Sequence, residues 1–386
     1  MPDPLNNSYY AASANAWETQ PRFAGQATYD VAIIGGGFTG LTAALACAEK
    51  GLKVILLEKE TIGFGASGRN GGQLIPGLRW SMRELDAEFG RERAQAIFDL
   101  AYGAVGRVKA RIAKHRISCD LKDGHLEAAY KPAHFDTMRR DVEFLEREFG
   151  WGTEVVQQRD MGRHVLDGQY HGGIYDRAGG HFHPLNYALG LAHAAKKAGV
   201  DIRENAPAYY FDHSPLGATE IDVVCGGRIK VKHLILATDT WMNDQSGDLG
   251  RYTVPIMNYN VATAPLPDAN QLLPSDAAIA DSRFVLNYFR LSADKRLIFG
   301  GGEKYVQTPP ADIAGFVRKH ITQVFPSLTN TPIDYAWGGA VGVTSNRLPH
   351  MGRKGNVFYA HGFSGHGALV TTLAGELMAE AVVGTL

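Results

Sequence analysis

Cysteine is scarce in this chain. Cys47, Cys119 and Cys225 are the only three in 386 residues, an odd, scattered set without the close pairs that hold zinc or an iron–sulfur cluster. A disulfide framework is excluded, a reducing cytoplasm suits the protein, and each thiol reads as a small core residue. An excess of charge of either sign is also missing. Lys and Arg number 39 against 40 Asp and Glu, a net charge of −1, so neither nucleic acid nor an anionic membrane surface is an expected partner. No apolar run approaches the roughly 18 residues of a transmembrane segment. Met1 to Gln20, polar and aromatic, lacks the cationic start and apolar middle of an export signal. Internal repeats and low-complexity linkers are absent as well. What remains is the composition of an ordinary globular protein, 45% apolar and 20% charged, long enough for two substantial cores.

Glycine, by contrast, is plentiful at 45 residues, and one cluster of it has an ordered setting. The apolar run Val31 to Ile34 leads into Gly35-Gly36-Gly37-Phe38-Thr39-Gly40, then a helix-like stretch, a second apolar run from Val54 to Leu57, and Glu58. Strand, glycine turn, helix, strand and acid in this order form a dinucleotide site. Gly35 permits the tight turn, Gly37 lets backbone approach a pyrophosphate, and Gly40 lets the helix lie close on the strand. The helix start near Phe38 and Thr39 offers free N–H groups and partial positive charge to phosphate. Glu58, with Lys59 beside it, stands where a carboxylate accepts the hydroxyl hydrogens of an adenosine ribose. The motif by itself leaves FAD and NAD open.

Farther on, Gly63 to Gln73 is too rich in glycine for helix or strand and reads as a loop. Ile97, Ala101, Val105, Val108 and Ile112 recur at spacings of three and four, as do Phe135, Met138, Val142, Leu145 and Phe149, so two helices with buried stripes are expected. Gly179 to Pro184 breaks the pattern before a helix from about Leu185 to Lys197, stopped by Gly199 and followed by a strand from Val200 to Arg203. Lys232 to Ala237 reads as a buried strand, and Val285 to Leu291 with Arg296 to Phe299 as two strands joined by a short turn. Near the end, the strand Asn356 to Ala360 precedes Gly362-Phe363-Ser364-Gly365-His366-Gly367 and a final helix from Ala368. Strand–helix alternation at both ends, with antiparallel hairpins between, implies a discontinuous α/β nucleotide domain holding an inserted α+β substrate domain.

Three separated segments carry a resemblance to a known family: the turn Gly35 to Gly40, the loop Gly65-Ala66-Ser67-Gly68-Arg69-Asn70-Gly71-Gly72-Gln73, and Gly362 to Gly367. Together they resemble the D-amino-acid oxidase superfamily of flavoproteins, which includes sarcosine, glycine and D-amino-acid oxidases. Within it, Ser8 to Asn15, the loop and Gly179 to Leu185 are most similar to bacterial γ-glutamylputrescine oxidases. The resemblance spans essentially the whole chain. It implies an FAD-binding Rossmann-like domain from residues 1–80, 155–240 and 335–386, interleaved with a substrate domain from 81–154 and 241–334 that carries an antiparallel sheet. Family members usually continue beyond the point matched by Leu386, which leaves a further C-terminal segment open.

The resemblance also implies roles. FAD would lie extended, its pyrophosphate at Gly35 to Gly40 and its ribose at Glu58. Ser67 and Arg69 would contact phosphate or ribose, and Asn70, Gly71, Gly72 and Gln73 would pass beside the flavin ring. Amides at Gly365 to Gly367 would face the reduced ring at the start of a helix, with His366 adding charge. No cysteine lies between Trp337 and Val343, where some sarcosine oxidases attach the flavin, so FAD is expected to be non-covalent. An Asp at 239 departs from the glycine that many flavoproteins have there. The implied reaction moves hydride from the amine-bearing carbon of a small-molecule amine or amino acid to flavin N5. The imine then hydrolyses, and dioxygen is reduced to hydrogen peroxide or another acceptor takes the electrons. Lys304 matches a stretch in which sarcosine oxidases keep a lysine that speeds reoxidation. His181 and His183 fall in a turn the family places on the substrate side.

Two departures bear on the substrate. Val341 stands where glycine and D-amino-acid oxidases hold the substrate carboxylate with an arginine, and Leu369 where sarcosine oxidases use a lysine. A buried carboxylate without such a partner is costly, so an amine with its charges far from the reacting carbon, such as γ-glutamylputrescine, is expected. Arg79 and Arg290 remain as a relocated clamp, which keeps a cyclic amino acid, L-pipecolate or proline, as the alternative. Tyr288, with Asn287, Phe289 and Trp80, is a candidate wall of the binding tunnel. Arg347 and Arg353, around Leu348-Pro349, resemble a family segment under the flavin and read as members of structural ion pairs.

Overall fold

The protein is described from a computed structural model that covers residues 7–211, 219–224, 226–242, 247–306 and 308–385. Cys225 lies outside these residues. Two large sheets divide the work. In the first, the strand order is His350–Lys354, Val357–His361, Gly227–Leu236, Gly25–Ile34, Val54–Leu57 and Asp201–Arg203. All neighbours along it are parallel except the first pair. Val31 to Ile34, Val54 to Leu57 and Leu234 to Leu236 are almost wholly buried, as a sheet covered on both faces requires. Helices Phe38–Glu49, Pro184–Lys197 and Gly367–Val383 pack on one face, where Ile33, Leu41, Leu56, Tyr187, Leu373 and their neighbours form the largest core. Each such aliphatic side chain contributes about 1.5–3 kcal/mol when removed from water.

The second sheet runs Ile333–Val343, Val254–Thr263, Leu297–Lys304, Tyr288–Leu291, Ala278–Asp281, Lys122–Ala128, Gly172–His181 and Gln73–Leu74, with Glu154–Gln157 added beside Gly172–His181. It is antiparallel except between Ala278–Asp281 and Lys122–Ala128. Helix Ile313–Val324 covers one face over Phe289, Phe299, Val317, Ile321 and Phe325. The other face looks toward the nucleotide sheet. The sheets divide the chain at points other than residues 155 and 335: Glu154–Gln157, Gly172–His181 and Ile333–Val343 all pair within the second sheet.

Most expected elements are present, with some bounds moved: the strand expected from Val285 begins at Tyr288, the one expected from Lys232 begins at Gly227, and Gly179 to His181, expected as a break, continue strand Gly172–His181. One helix is divided. The stripe from Ile97 to Ile112 is broken into two helices, Arg91–Ala101 and Gly103–His115. Ile97 packs with Phe98 and Tyr102 in a small satellite cluster, while Val105, Val108 and Ile112 enter the main core. Among the described residues, no helix is long and apolar enough to cross a membrane.

Candidate active site

The dinucleotide turn is built by close approach. Gly35 has φ +113°, in the left-handed region that favours glycine. A Cβ on Gly40 would come within 1.9 Å of the Gly35 carbonyl oxygen, so no other residue lets the helix settle there. Helix Phe38–Glu49 starts at Gly37 with no side-chain cap. The Phe38 amide donates to Ser67 Oγ at 2.9 Å, while the buried amides of Thr39 and Gly40 have no acceptor among the described residues. Buried N–H groups without acceptors are rare, and at a helix start they suit a phosphate. Glu58 closes the neighbouring strand. Its carboxylate accepts from the Gly36 amide at 2.6 Å and the Glu60 amide at 2.9 Å. Burial pushes its pKa up, and these two amides pull it back. Lys59 is exposed beside it.

From Phe38 a cavity of about 280 Å³ opens between the two sheets. It joins all three glycine-rich segments: Ser67, Arg69, Asn70, Gly71 and Gln73 from the loop, and Phe363 to Leu369 from the C-terminal turn and helix start. The opposite wall is the second sheet, through Ile256, Asn258, Asn260, Tyr288 and Glu303. The loop is braced from several sides. Asn70 donates to the Ala66 and Ser67 carbonyls and accepts from the Gly72 amide. Gln73 donates to the Ile279 carbonyl at 3.0 Å. The Arg69 carbonyl accepts from Trp337 Nε1 at 2.9 Å, and the Arg69 guanidinium lies 4.4 Å from the Phe64 ring centre. Tyr288 donates to Asn258 Oδ1.

Asp239, the departure from the glycine pattern, keeps the backbone that glycine would supply, with φ +44°. Its carboxylate lines the cavity and accepts from the Gly362 amide at 2.8 Å, and the Gly342 and Thr240 amides also bond to it. It therefore ties the end of the second sheet to the C-terminal turn. Burial raises its pKa against these three donors.

Several expected site residues sit elsewhere. His181 is buried with Nε2–H donating to the Asp276 carbonyl at 2.8 Å, and it is not among the residues that line the cavity. His183 caps helix Pro184–Lys197: its Nδ1 accepts from the Asn186 amide at 3.1 Å and its Nε2 bonds to Ser13. Burial lowers both histidines, to about 4 and about 3. Arg290 is only 3% exposed and donates to the Gly71 carbonyl, the Leu291 carbonyl and the Tyr10 hydroxyl. It braces the loop from behind instead of facing the cavity. Lys304 fails by parity. Glu303 pairs with Asn258, which lines the cavity, whereas Lys304 pairs with Met257, which packs into the second core; alternate residues of a strand face opposite ways. Asn287, Phe289 and Trp80 also stand off the cavity, and Gly72 is buried just behind its wall.

His366 does line the cavity, but without charge at neutral pH: burial, with Arg79 nearby, lowers its pKa to about 4. Its Nε2–H donates to the Ile75 carbonyl at 3.1 Å, latching the C-terminal turn to the glycine loop. Helix Gly367–Val383 begins next to it, so its positive end meets the cavity. Arg79 lines the cavity near its mouth. Arg347, read as half of an ion pair, instead lines that mouth too, and no carboxylate bridges either Arg347 or Arg353 among the described residues. Cys47 and Cys119 are buried in the main core, away from the cavity.

A glycine-turn nucleotide sheet that faces a largely antiparallel sheet across a shared cavity is an arrangement for holding a dinucleotide against a substrate, and the family match identifies that dinucleotide as FAD. The chain belongs to the DAO family of FAD-dependent oxidoreductases, whose model matches residues 30–381. It is 34% identical to γ-glutamylputrescine oxidoreductase of Escherichia coli over 382 residues, which is 98% of this chain and 89% of that one. It is 35% identical over 385 residues to the probable oxidoreductase OrdL of Haemophilus influenzae, covering 98% and 88%. Among solved structures, glycine oxidase from Geobacillus kaustophilus matches with TM-score 0.76 at 22% identity over 92% of this chain and 95% of that one. L-proline dehydrogenase from P. horikoshii matches with TM-score 0.76 at 23% identity over 94% of each. The protein is thus an enzyme that uses non-covalent FAD to oxidise amine or amino-acid donors.

Proposed function

We propose that the chain oxidises the carbon–nitrogen bond at the amine end of an elongated substrate of the γ-glutamylputrescine type, with dioxygen reduced to hydrogen peroxide. The observation that carries this reading is the apolar inner wall. Val341 and Leu369 both line the cavity, joined by Ile256, Leu286 and Phe363. A carboxylate next to the reacting carbon would find no cation among these side chains, whereas an alkylamine is accommodated.

FAD, when bound, supplies the hydride acceptor. The amides of Thr39 and Gly40 would hold its pyrophosphate, with Ser67 over the same helix start, and Glu58 its ribose. The apolar wall excludes water and favours the neutral amine, which must have a free lone pair to expel hydride. An alkylamine with a pKa of about 10.4 requires roughly 4.6 kcal/mol to deprotonate at pH 7, and desolvation supplies part of it without a dedicated base. The start of helix Gly367–Val383 favours negative charge arising at that end of the cavity.

The Arg79 and Arg347 guanidinium groups at the mouth support a second reading, a cyclic secondary amino acid such as L-pipecolate or proline held by its carboxylate, with a respiratory acceptor in place of dioxygen. Anaerobic bleaching of the flavin separates the two. γ-Glutamylputrescine is expected to bleach it fastest among putrescine, L- and D-pipecolate, proline, sarcosine and D-alanine. Faster bleaching by a cyclic amino acid would refute the first reading. Peroxide release on admitting air tests the acceptor.

A further inference from the structure

We propose that the cavity mouth is a receptor for the zwitterionic head of an α-amino acid, in which Arg79 and Arg347 take the carboxylate and Glu303 the ammonium. The far end of the substrate, carrying the reacting amine, lies deeper. The proposal rests on the amine-oxidising reading above and adds which residues select the substrate.

Three charged side chains from unconnected segments line this part of the cavity: Arg79 after the glycine loop, Glu303 on strand Leu297–Lys304, and Arg347 in the turn after Ile333–Val343. Buried or clustered arginines elsewhere are engaged, Arg290 by three acceptors and Arg91 by Asp86 and Glu148, whereas Arg79 and Arg347 share one cavity. The guanidinium groups of Arg79 and Arg347 have no hydrogen-bond acceptor and no carboxylate within ion-pair reach among the described residues, and the Glu303 carboxylate has no donor. The three nevertheless act on one another. Burial lowers the pKa of Arg79 and Arg347 lowers it further, with Glu127 and Glu303 opposing; burial raises the pKa of Glu303, and Arg347 and Arg79 offset part of that rise.

Trp80 Nε1 donates to the Asn346 carbonyl at 2.8 Å, which holds the segments bearing Arg79 and Arg347 together; their like charges repel, and an anion bound between them removes that repulsion. Their planar forks match a carboxylate. Glu303 makes a bare carboxylate a poorer match than one carrying an ammonium beside it. Phe284 and Tyr305, 74% and 65% exposed, stand at the same mouth, with the Arg347 guanidinium 5.9 Å from the Phe284 ring centre. They offer apolar cover for the methylene and amide chain that joins head to amine.

The test uses the FAD-loaded enzyme and an inert probe, γ-L-glutamylbutylamide, which has the head but no terminal amine. Titration calorimetry compares it with 4-aminobutanoyl-butylamide, which lacks the carboxylate, and glutaryl-butylamide, which lacks the ammonium. Each truncated probe is expected to bind at least about tenfold more weakly, the loss of one charge-assisted contact. Arg79→Gln and Arg347→Gln are expected to weaken the intact probe by a similar factor and leave the carboxylate-free probe unchanged. Glu303→Gln is expected to do the same relative to the ammonium-free probe. Equal binding of all three probes to the parent overturns the proposal, and that comparison needs no substitution to fold. Variants that weaken every probe alike overturn it too. Anaerobic bleaching by 4-aminobutyl amides distinguishes the underlying reading: no bleaching by any of them refutes the elongated-amine reading, while bleaching without preference for the glutamyl head refutes the receptor alone.

Discussion

Replacing His183 with asparagine separates a helix cap from a catalytic base. The His183 side chain is 3% exposed, accepts from the Asn186 amide at the first turn of helix Pro184–Lys197, and packs against the Tyr9 and Tyr10 rings at centroid distances of 6.1 and 5.0 Å. Burial, with Arg290 nearby, lowers its pKa to about 3. In the unfolded chain the imidazole titrates near 6.5. A depressed pKa in the folded state gives stability that is present above pH 6.5 and lost as pH falls from there toward 3. Between pH 7.5 and pH 5.0 the unfolded chain gains the proton and the folded one does not, which removes about 2 kcal/mol of stability. Asparagine is a good N-cap but does not titrate. Urea denaturation followed by far-ultraviolet circular dichroism at the two pH values is therefore expected to show the parent losing about 2 kcal/mol more than His183→Asn. The variant is expected to keep its turnover at pH 7.5. Equal losses in parent and variant, or abolished turnover with intact stability, would refute the cap assignment.

Other residues give contrasting outcomes. Arg290→Met removes the donor that holds the Gly71 carbonyl at 2.8 Å and leaves the Tyr10 hydroxyl and Leu291 carbonyl without it. We expect a loss of about 2–4 kcal/mol from unmet buried groups, together with faster FAD release in dialysis; unchanged retention would remove Arg290 from the loop's support. Lys304→Met, on the strand face turned from the cavity, is expected to leave oxygen reactivity within about twofold of the parent. A large slowing of reoxidation in stopped-flow traces would show that the lysine reaches the flavin after all.

How much could be read without coordinates follows a physical divide. The glycine turn, the two apolar strands beside it and Glu58 were legible because a dinucleotide unit is local, its geometry enforced within one stretch of chain. The convergence of the loop and the C-terminal turn was legible only through family resemblance, since nothing in their spacing says that His366 latches to Ile75. Side-chain direction was the main blind spot. Lys304 lies one residue from a cavity residue, and that single step reverses its face. His181 and His183 sit in the expected turn but point into packed protein. The apolar stripe from Ile97 to Ile112 spans a helix break at Tyr102, its first part in a satellite cluster and its second in the main core, a division that periodicity cannot distinguish from one long helix. Arg347 was singled out through its family segment, but its place on the cavity without an ion-pair partner becomes evident only when its surroundings are seen.

The central claim is that three distant segments enclose one FAD. Hydrogen–deuterium exchange on the protein with and without FAD tests it most directly. The account predicts slower amide exchange on FAD binding at residues 35–40, 63–73 and 362–367 together. Protection confined to 35–40, with 362–367 exchanging as in the FAD-free protein, would contradict it.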